Sequence, residues 1–341
     1  MRLNDTIAGG IAGVYGWAVR RRNCRFDNGI GVKRVDVPVL SVGNISTGGT
    51  GKTPFTAMLA LGIQERGKRV AIVSRGYRRK SKGVVTVRDT EQILSSVDQS
   101  GDELQLLARA IPGSIIIAAE QRYDGAVRAV EEYGADCIIL DDGFQHRQLH
   151  RDADIVLVDD ATMSSEYCIP KGILREPHSA LKRATVVVHT GGFAHDDTLH
   201  SIAPDALHIR TESTPLAPCL LRHVTERDYT TVEAPYMTLC AIARPERFLV
   251  MAAHEFGTPA SSITLRDHAS YTVPLINTII ADATRTGIRT ILTTEKDAVK
   301  LLQHSALFDS AGITVAVLPI ATRIIAGEER FWNYVDGVIN P

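Results

Sequence analysis

Residues 37–53 read VPVLSVGNISTGGTGKT, a β-branched apolar run that breaks into glycines and closes on Lys-Thr. That order of residue types makes a phosphate cradle. The run 37–42 has the length and branching of a central strand in a parallel sheet, ended by Gly43 and Asn44. Gly48, Gly49 and Gly51 permit a tight loop, 46–53, whose backbone N–H groups point inward and bind anions. Lys52 then reaches the β- and γ-phosphates, the Thr53 hydroxyl ligates a magnesium ion, and the following helix presents its positive end. The usual G-x-x-x-x-G-K-[ST] pattern has one departure, Ser46 at the first glycine position. The glycines nearest the lysine remain, so binding is expected to survive it.

A second signal lies at 137–146, where four apolar residues run into Asp141-Asp142-Gly143-Phe144-Gln145-His146. Paired with the upstream loop, this is a Walker B arrangement, which sets a carboxylate beside the phosphates to hold magnesium or its bound water. Arg75-Gly76-Tyr77-Arg78-Arg79 follows an expected strand, 69–74, at the end where open α/β sheets bind ligands. Its cations meet phosphates or face solvent. Gly101-Asp102-Glu103 opens a helix over 104–110, and on spacing alone its acids read as caps on free N–H groups. The segment 170–177, PKGILREP, is a loop of fixed shape in which Arg175 either supplies a cation to a transition state or pairs with Glu176 or another acid.

These residues need a scaffold. With 341 residues the chain is expected to form two domains, and its net charge of −1 gives no global pull toward nucleic acid. Five cysteines are scattered singly without metal-ligand spacing, as expected of reduced cytosolic thiols. Residues 3–19 are apolar but glycine-interrupted, and Arg20, Arg21, Arg22 and Arg25 follow. A span needs about 20 apolar residues, and a signal peptide puts its basic residues first, so neither fits. Ile7, Ile11, Val14 and Ala18 fall at helical spacing, giving an amphipathic helix that lies on a membrane or packs on its own protein.

Further along, helices are expected over 54–66 and from Arg122 at 122–133, with a hairpin at 83–88 and strands at 115–119, 155–158 and 185–189. The pattern loosens over 190–235. A second strand–helix series then runs from a strand at 237–241 through the helix opened by ARPERF, Asp267-His268, a helix at 274–286, a strand at 290–292 running into TTEKD, and a last strand at 313–318. The expected fold class is α/β, a P-loop NTPase-like, mostly parallel sheet flanked by helices, with a second smaller α/β domain. The expected division is an N-terminal helix at 1–25, a P-loop domain at 26–205, and a C-terminal domain at 206–341 closing over the site.

SVGNISTGGTGKTP, SRGYRR, GDE, DDGFQH, GILREP, ARPERF, DH and TTEKDAVKL occur in an order that resembles the tetraacyldisaccharide 4'-kinase (lipid A 4'-kinase) family over nearly the whole chain. The resemblance implies transfer of the ATP γ-phosphate to the 4'-hydroxyl of a tetraacyldisaccharide 1-phosphate, forming lipid IV-A. It implies ATP and Mg2+ as cofactors and an acylated disaccharide 1-phosphate lipid as substrate. The enzyme would sit peripherally or monotopically on the cytoplasmic face of the bacterial inner membrane, with no obligatory protein partner. Position by position, it assigns Ser46, Thr47, Gly48, Gly49, Thr50, Gly51, Lys52 and Thr53 to the nucleotide. Asp102 becomes the base rather than a cap, with His268 beside it, and Lys52 and Arg175 as cations. Thr53, Asp141, Asp142 and Glu176 are assigned to the metal. Asn44, Arg75, Glu103, Arg122, Gln145 and His146 face substrate and phosphate. Departures are modest: Leu104 stands where proline is expected and Lys171 where a small residue is. A nucleotide-gated switch would use the same Walker motifs but would give Asp102 and His268 no joint task.

Overall fold

The computed structural model describes residues 2–192, 194–223 and 228–340, with side chains described from Ala12 onward except at His223. Eight strands come first: β1 (Val39–Asn44), β2 (Val70–Ser74), β3 (Val85–Arg88), β4 (Ile115–Ala118), β5 (Cys137–Asp141), β6 (Ala153–Val158), β7 (Val186–Thr190) and β8 (Leu207–Pro215). Then follow β9 (Cys219–Leu220), β10 (Tyr236–Cys240), β11 (Ser261–Thr264), β12 (Thr290–Thr294), β13 (Thr314–Leu318) and β14 (Ile320–Ala326). They form a nine-stranded sheet, β14-β8-β7-β6-β1-β5-β2-β4-β3, and a five-stranded sheet, β11-β10-β12-β13-β9. Every residue of β1, β2, β4, β5 and β6 is buried. Helices cover both faces of such a parallel sheet, which is why these strands read as unbroken apolar runs.

The edges differ from expectation. Of residues 83–88, expected as a hairpin, 85–88 form the edge strand β3, antiparallel to β4. Strand β8 begins just past the expected boundary at 206, yet it pairs with β7 and, through the antiparallel β14, extends the large sheet. The small sheet therefore takes only the chain from β9 to β13. The C-terminal helix Glu328–Ile339 also returns to the large sheet, packing under the P-loop helix Lys52–Glu65. Phe331 meets Phe55 edge to face at 5.9 Å, and both rings are fully buried. Such burial stabilises by roughly 2 kcal/mol per ring. The Trp332 ring lies where a Cβ on Gly62 would come within 2.1 Å, so only glycine permits this approach.

The N-terminal helix Arg2–Asp27 docks along one face. Ala12 and Val19 are buried; Tyr15 donates to the Arg175 carbonyl (3.1 Å) and Asn23 to Glu176 (2.7 Å). Of the expected apolar face, the Ile7 and Ile11 side chains lie outside those described, and Val14 and Ala18 point outward beside the exposed Trp17. Among the described residues no helix is long and apolar enough to cross a membrane. In the large sheet, β1, β5 and β2 are neighbours, so their carboxyl ends bring the glycine loop, the two aspartates and Arg75 to one edge.

Candidate active site

Thr47 to Thr53 line the mouth of one large cavity of about 1490 Å³. Gly48 and Gly51 have φ of 128° and 84°, a left-handed region that favours glycine and turns the loop inward. The loop is braced from behind. Asn44 donates to the Thr50 hydroxyl (3.1 Å), Ser46 Oγ bonds Thr162 Oγ1 (2.8 Å), and the Thr47 N–H donates to the Ile173 carbonyl (2.7 Å). Ser46 and Asn44 are fully buried and neither lines the cavity, so both shape the loop rather than face a ligand.

The two aspartates at the end of β5 have opposite surroundings. Asp141 accepts hydrogen bonds from Ser74 (3.1 Å) and Thr56 (3.3 Å), and among the described residues no cation lies within ion-pair distance. Burial, then the charges of Glu103 and Asp142, push its carboxyl up to about 7. Asp142 sits at φ 51° and meets Arg175 at 2.8 Å and Lys52 at 3.4 Å. Burial opposes its charge, but Lys52, Arg175 and Arg122 outweigh it and hold the carboxyl down at about 2. Asp141, Asp142, Glu103 and Thr53 all line the one cavity with oxygen donors, the kind a hard divalent ion such as magnesium takes, and Asp141 has no cation partner among the described residues.

Asp102 opens the helix Asp102–Ala110 after Gly101, whose φ of 87° lets the chain turn into it; it is buried and, unlike Glu103 and His268, does not itself line the cavity. Its Oδ1 accepts from the Glu103 N–H (3.0 Å), as a cap would. Its Oδ2 accepts instead from His268 Nδ1 at 2.9 Å, across 166 residues of sequence. Lys296 Nζ lies 3.1 Å from His268 Nε2, and an ammonium can only donate, so the imidazole carries its proton on Nδ1. Burial pushes the Asp102 carboxyl up, but the His268 hydrogen bond and the Lys296 and Lys300 charges prevail and hold it below the usual carboxylate value. His268 itself is left-handed at φ 59°, with Tyr77 edge-on to its ring at 5.1 Å. The other left-handed non-glycine residues described are Asp142 and Arg78, and Arg78 donates to the Asp267 carbonyl (3.2 Å). Such conformations persist only where the surroundings enforce them.

Arg75, Glu103, Arg122, Gln145, His146 and Arg175 also line the cavity. Burial, with Arg122 and Arg151 nearby, lowers the His146 imidazole to about 4, so it is neutral. Glu176, expected at the metal, is elsewhere: fully buried, it accepts from Arg183 (3.0 Å), Asn23 (2.7 Å) and Gln145 (3.1 Å) and does not line the cavity. Its neighbour Arg175 pairs with Asp142 rather than with Glu176.

Three residues escaped sequence reasoning. Lys296 bonds Glu103 (3.2 Å) as well as His268. Arg244 and Arg247, at the head of the helix Pro245–Phe256, both pair with the buried Asp159, and Arg247 donates to the Gly49 carbonyl (3.3 Å). The available signal was their place at a helix start, Arg244 just before Pro245 and Arg247 in the first turn, which brings both cations to the same end of the helix. Through them the small sheet touches the glycine loop directly.

Residues 9–340 match the family model described as Tetraacyldisaccharide-1-P 4'-kinase. The chain is 37% identical over 312 residues to the tetraacyldisaccharide 4'-kinase of Geobacter sulfurreducens, covering 89% of this chain and 86% of that one. With the protein of the same name from Chlorobium phaeovibrioides it shares 36% over 332 residues, 93% of each chain. The crystal structure of Aquifex aeolicus LpxK in complex with ATP superposes with a TM-score of 0.77 at 28% identity, covering 97% of this chain and 98% of that one.

Proposed function

The chain belongs to the tetraacyldisaccharide-1-P 4'-kinase family, and from that premise we propose how its residues transfer the γ-phosphate of ATP to the 4'-hydroxyl of a tetraacyldisaccharide 1-phosphate in lipid A synthesis. The observation that carries the assignment is the 2.9 Å bond between Asp102 and His268: His268 lines the same cavity as the glycine loop, and Asp102 is buried directly behind it, next to the cavity-lining Glu103. Asp102 accepts the proton of the attacking hydroxyl at its carboxylate. His268, its tautomer set by Lys296, aims that carboxylate. A carboxylate held below its usual pKa is a weak base, which suffices here because a loose phosphoryl transition state forms little bond to the nucleophile and needs placement most.

The loop N–H groups and Lys52 hold the phosphates, and Lys52, Arg175, Arg122 and Arg75 offset the negative charge that spreads over the transferring group. Asp141, Asp142 and the Thr53 hydroxyl would hold a magnesium ion, which when bound neutralises phosphate charge. Glu176 supports the loop that carries Arg175. Contact of Arg247 with the Gly49 carbonyl links placement of His268 to the loop, so closure of the small sheet assembles the site and excludes water.

The N-terminal helix meets the substrate's bilayer, the cytoplasmic face of the inner membrane. Val14 and Trp17 are exposed, with Arg20 and Arg21 nearby for anionic headgroups. Tyr15 and Arg22 of the same helix line the cavity, so an acylated sugar need move only its headgroup into the site. The test is transfer of labelled γ-phosphate from ATP to the disaccharide 1-phosphate in detergent micelles, wild type beside Asp102→Ala. Label reaching lipid in wild type and falling by orders of magnitude in the variant is the expected result. Label released only as free phosphate, equally in both, overturns the proposal.

A further inference from the structure

At the carboxyl end of β7, away from the kinase cavity, His189, His200 and His208 place one ring nitrogen each within 4.8 Å of the others. Among the described residues this is the only such trio of metal-ligating groups. None of the three lines the cavity. His189 projects from β7, His208 from the adjoining β8, and His200 from the short helix Asp196–Ile202 between them.

The outward nitrogens are all committed. His189 Nδ1 lies 2.6 Å from Asp196 Oδ1, His208 Nε2 2.8 Å from the Ala203 carbonyl, and His200 Nδ1 2.9 Å from the Asp196 carbonyl. Carbonyls and an ionised carboxylate only accept, so each of these nitrogens is an N–H donor. In neutral rings the three remaining nitrogens, His189 Nε2, His208 Nδ1 and His200 Nε2, then all carry lone pairs. The first two stand 3.0 Å apart, a repulsive meeting unless something positive lies between them.

We propose that His189, His200 and His208 form a site for a divalent transition-metal ion of the zinc class, separate from the magnesium of phosphoryl transfer. Zinc–imidazole bonds of about 2.0–2.1 Å in tetrahedral geometry put ligand nitrogens roughly 3.3 Å apart, near the spacing His189 and His208 already have. The Asp196 carboxylate and the Ala203 carbonyl supply, for His189 and His208, the outer hydrogen bonds that fix tautomer and ring orientation in such sites. His200 must turn, since its ring stacks on His208 at 3.8 Å and 16° and their lone pairs lie in nearly parallel planes. It is exposed and on the last turn of its helix, so the rotation displaces no core. Solvent completes the fourth position. The ion would tie that helix to β7 and β8, and so brace the strands that carry β14.

The test uses the full chain, without a polyhistidine tag and stripped by chelator, in excess Mg2+ at pH 8. It is titrated with Co2+, read by its visible d–d bands, and with Zn2+, read by competition with a chromophoric chelator. One equivalent should bind and raise Tm. His208→Gln and His200→Ala should each weaken binding at least tenfold, and Asp196→Asn about 10- to 100-fold, with kinase activity unchanged. His200→Ala alters an exposed position and carries the test if the variants at the half-buried His208 and Asp196 fold poorly. Absence of stoichiometric binding, which would leave a shared proton between His189 and His208, overturns the proposal. So does binding that is equal in wild type, His200→Ala and His208→Gln, which would place the ion at the acids or thiols.

Discussion

Replacing His268 removes the donor that aims Asp102 while leaving the glycine loop untouched, because none of that loop's hydrogen bonds involves His268. A hydrogen bond to a charged group contributes about 1.5–3 kcal/mol. At 1.36 kcal/mol per tenfold, losing it should lower kcat by roughly 10- to 150-fold with KM for ATP little changed. The substitution must respect the backbone, since residue 268 sits at φ 59°. Asparagine tolerates that region better than alanine, and its amide N–H falls near the position of Nδ1. His268→Asn should therefore recover part of what His268→Ala loses. The assay is steady-state phosphate transfer to the lipid acceptor with both substrates varied, with Tm measured for each variant. A folded His268→Ala enzyme with wild-type kcat, or one whose whole defect lies in KM for ATP, would refute the reasoning.

Lys296→Met removes a positive charge that helps hold Asp102 ionised, so the Asp102 pKa rises and the acid limb of the kcat–pH profile should move to higher pH; a shift downward, or none, counts against the assignment. Asp141 has a folded-state pKa raised to about 7, so its ionisation costs stability that is absent below its ordinary value near 3.8 and complete above 7. Asp141→Asn should accordingly raise Tm at pH 8 more than at pH 5 in magnesium-free buffer while abolishing transfer, and a gain confined to pH 5 would reverse the sign of the argument. Glu176→Gln breaks a buried pair with Arg183, which typically costs about 3–5 kcal/mol. A large fall in Tm with an unchanged apparent KM for Mg2+ in the folded enzyme is the expected outcome, and the opposite pattern would return Glu176 to the metal.

Lys52, Thr53, Asp141 and Asp142 were legible because a phosphate loop and a carboxylate at a strand end are local arrangements: the strand, the glycines and the charge lie within a few residues of one another. The buried parallel strands were legible for a similar reason, since burial on both faces imposes an apolar run that no loop resembles. The edge strands were not. β8 and β14 leave much of their surface exposed, carry Arg, Thr and Ser, and so look like linker. Contacts between distant segments leave no mark on spacing, and only the family resemblance set His268 beside Asp102. An acid at a helix start is a cap unless something else claims its second oxygen, and for Asp102 the claimant lies 166 residues away. Arg175 stands beside Glu176 in sequence but pairs with Asp142, because the loop turns the two side chains to opposite sides, one into the cavity and one into the interior, where it meets Arg183. The sequence by itself determined the glycine loop with Lys52 and Thr53 and the pair of aspartates that ends β5. That Asp102 meets His268 at 2.9 Å, that Arg175 turns to Asp142, and that three scattered histidines share one corner were decided by tertiary structure, since side-chain partnership depends on direction in space and sequence spacing does not encode it across separate elements.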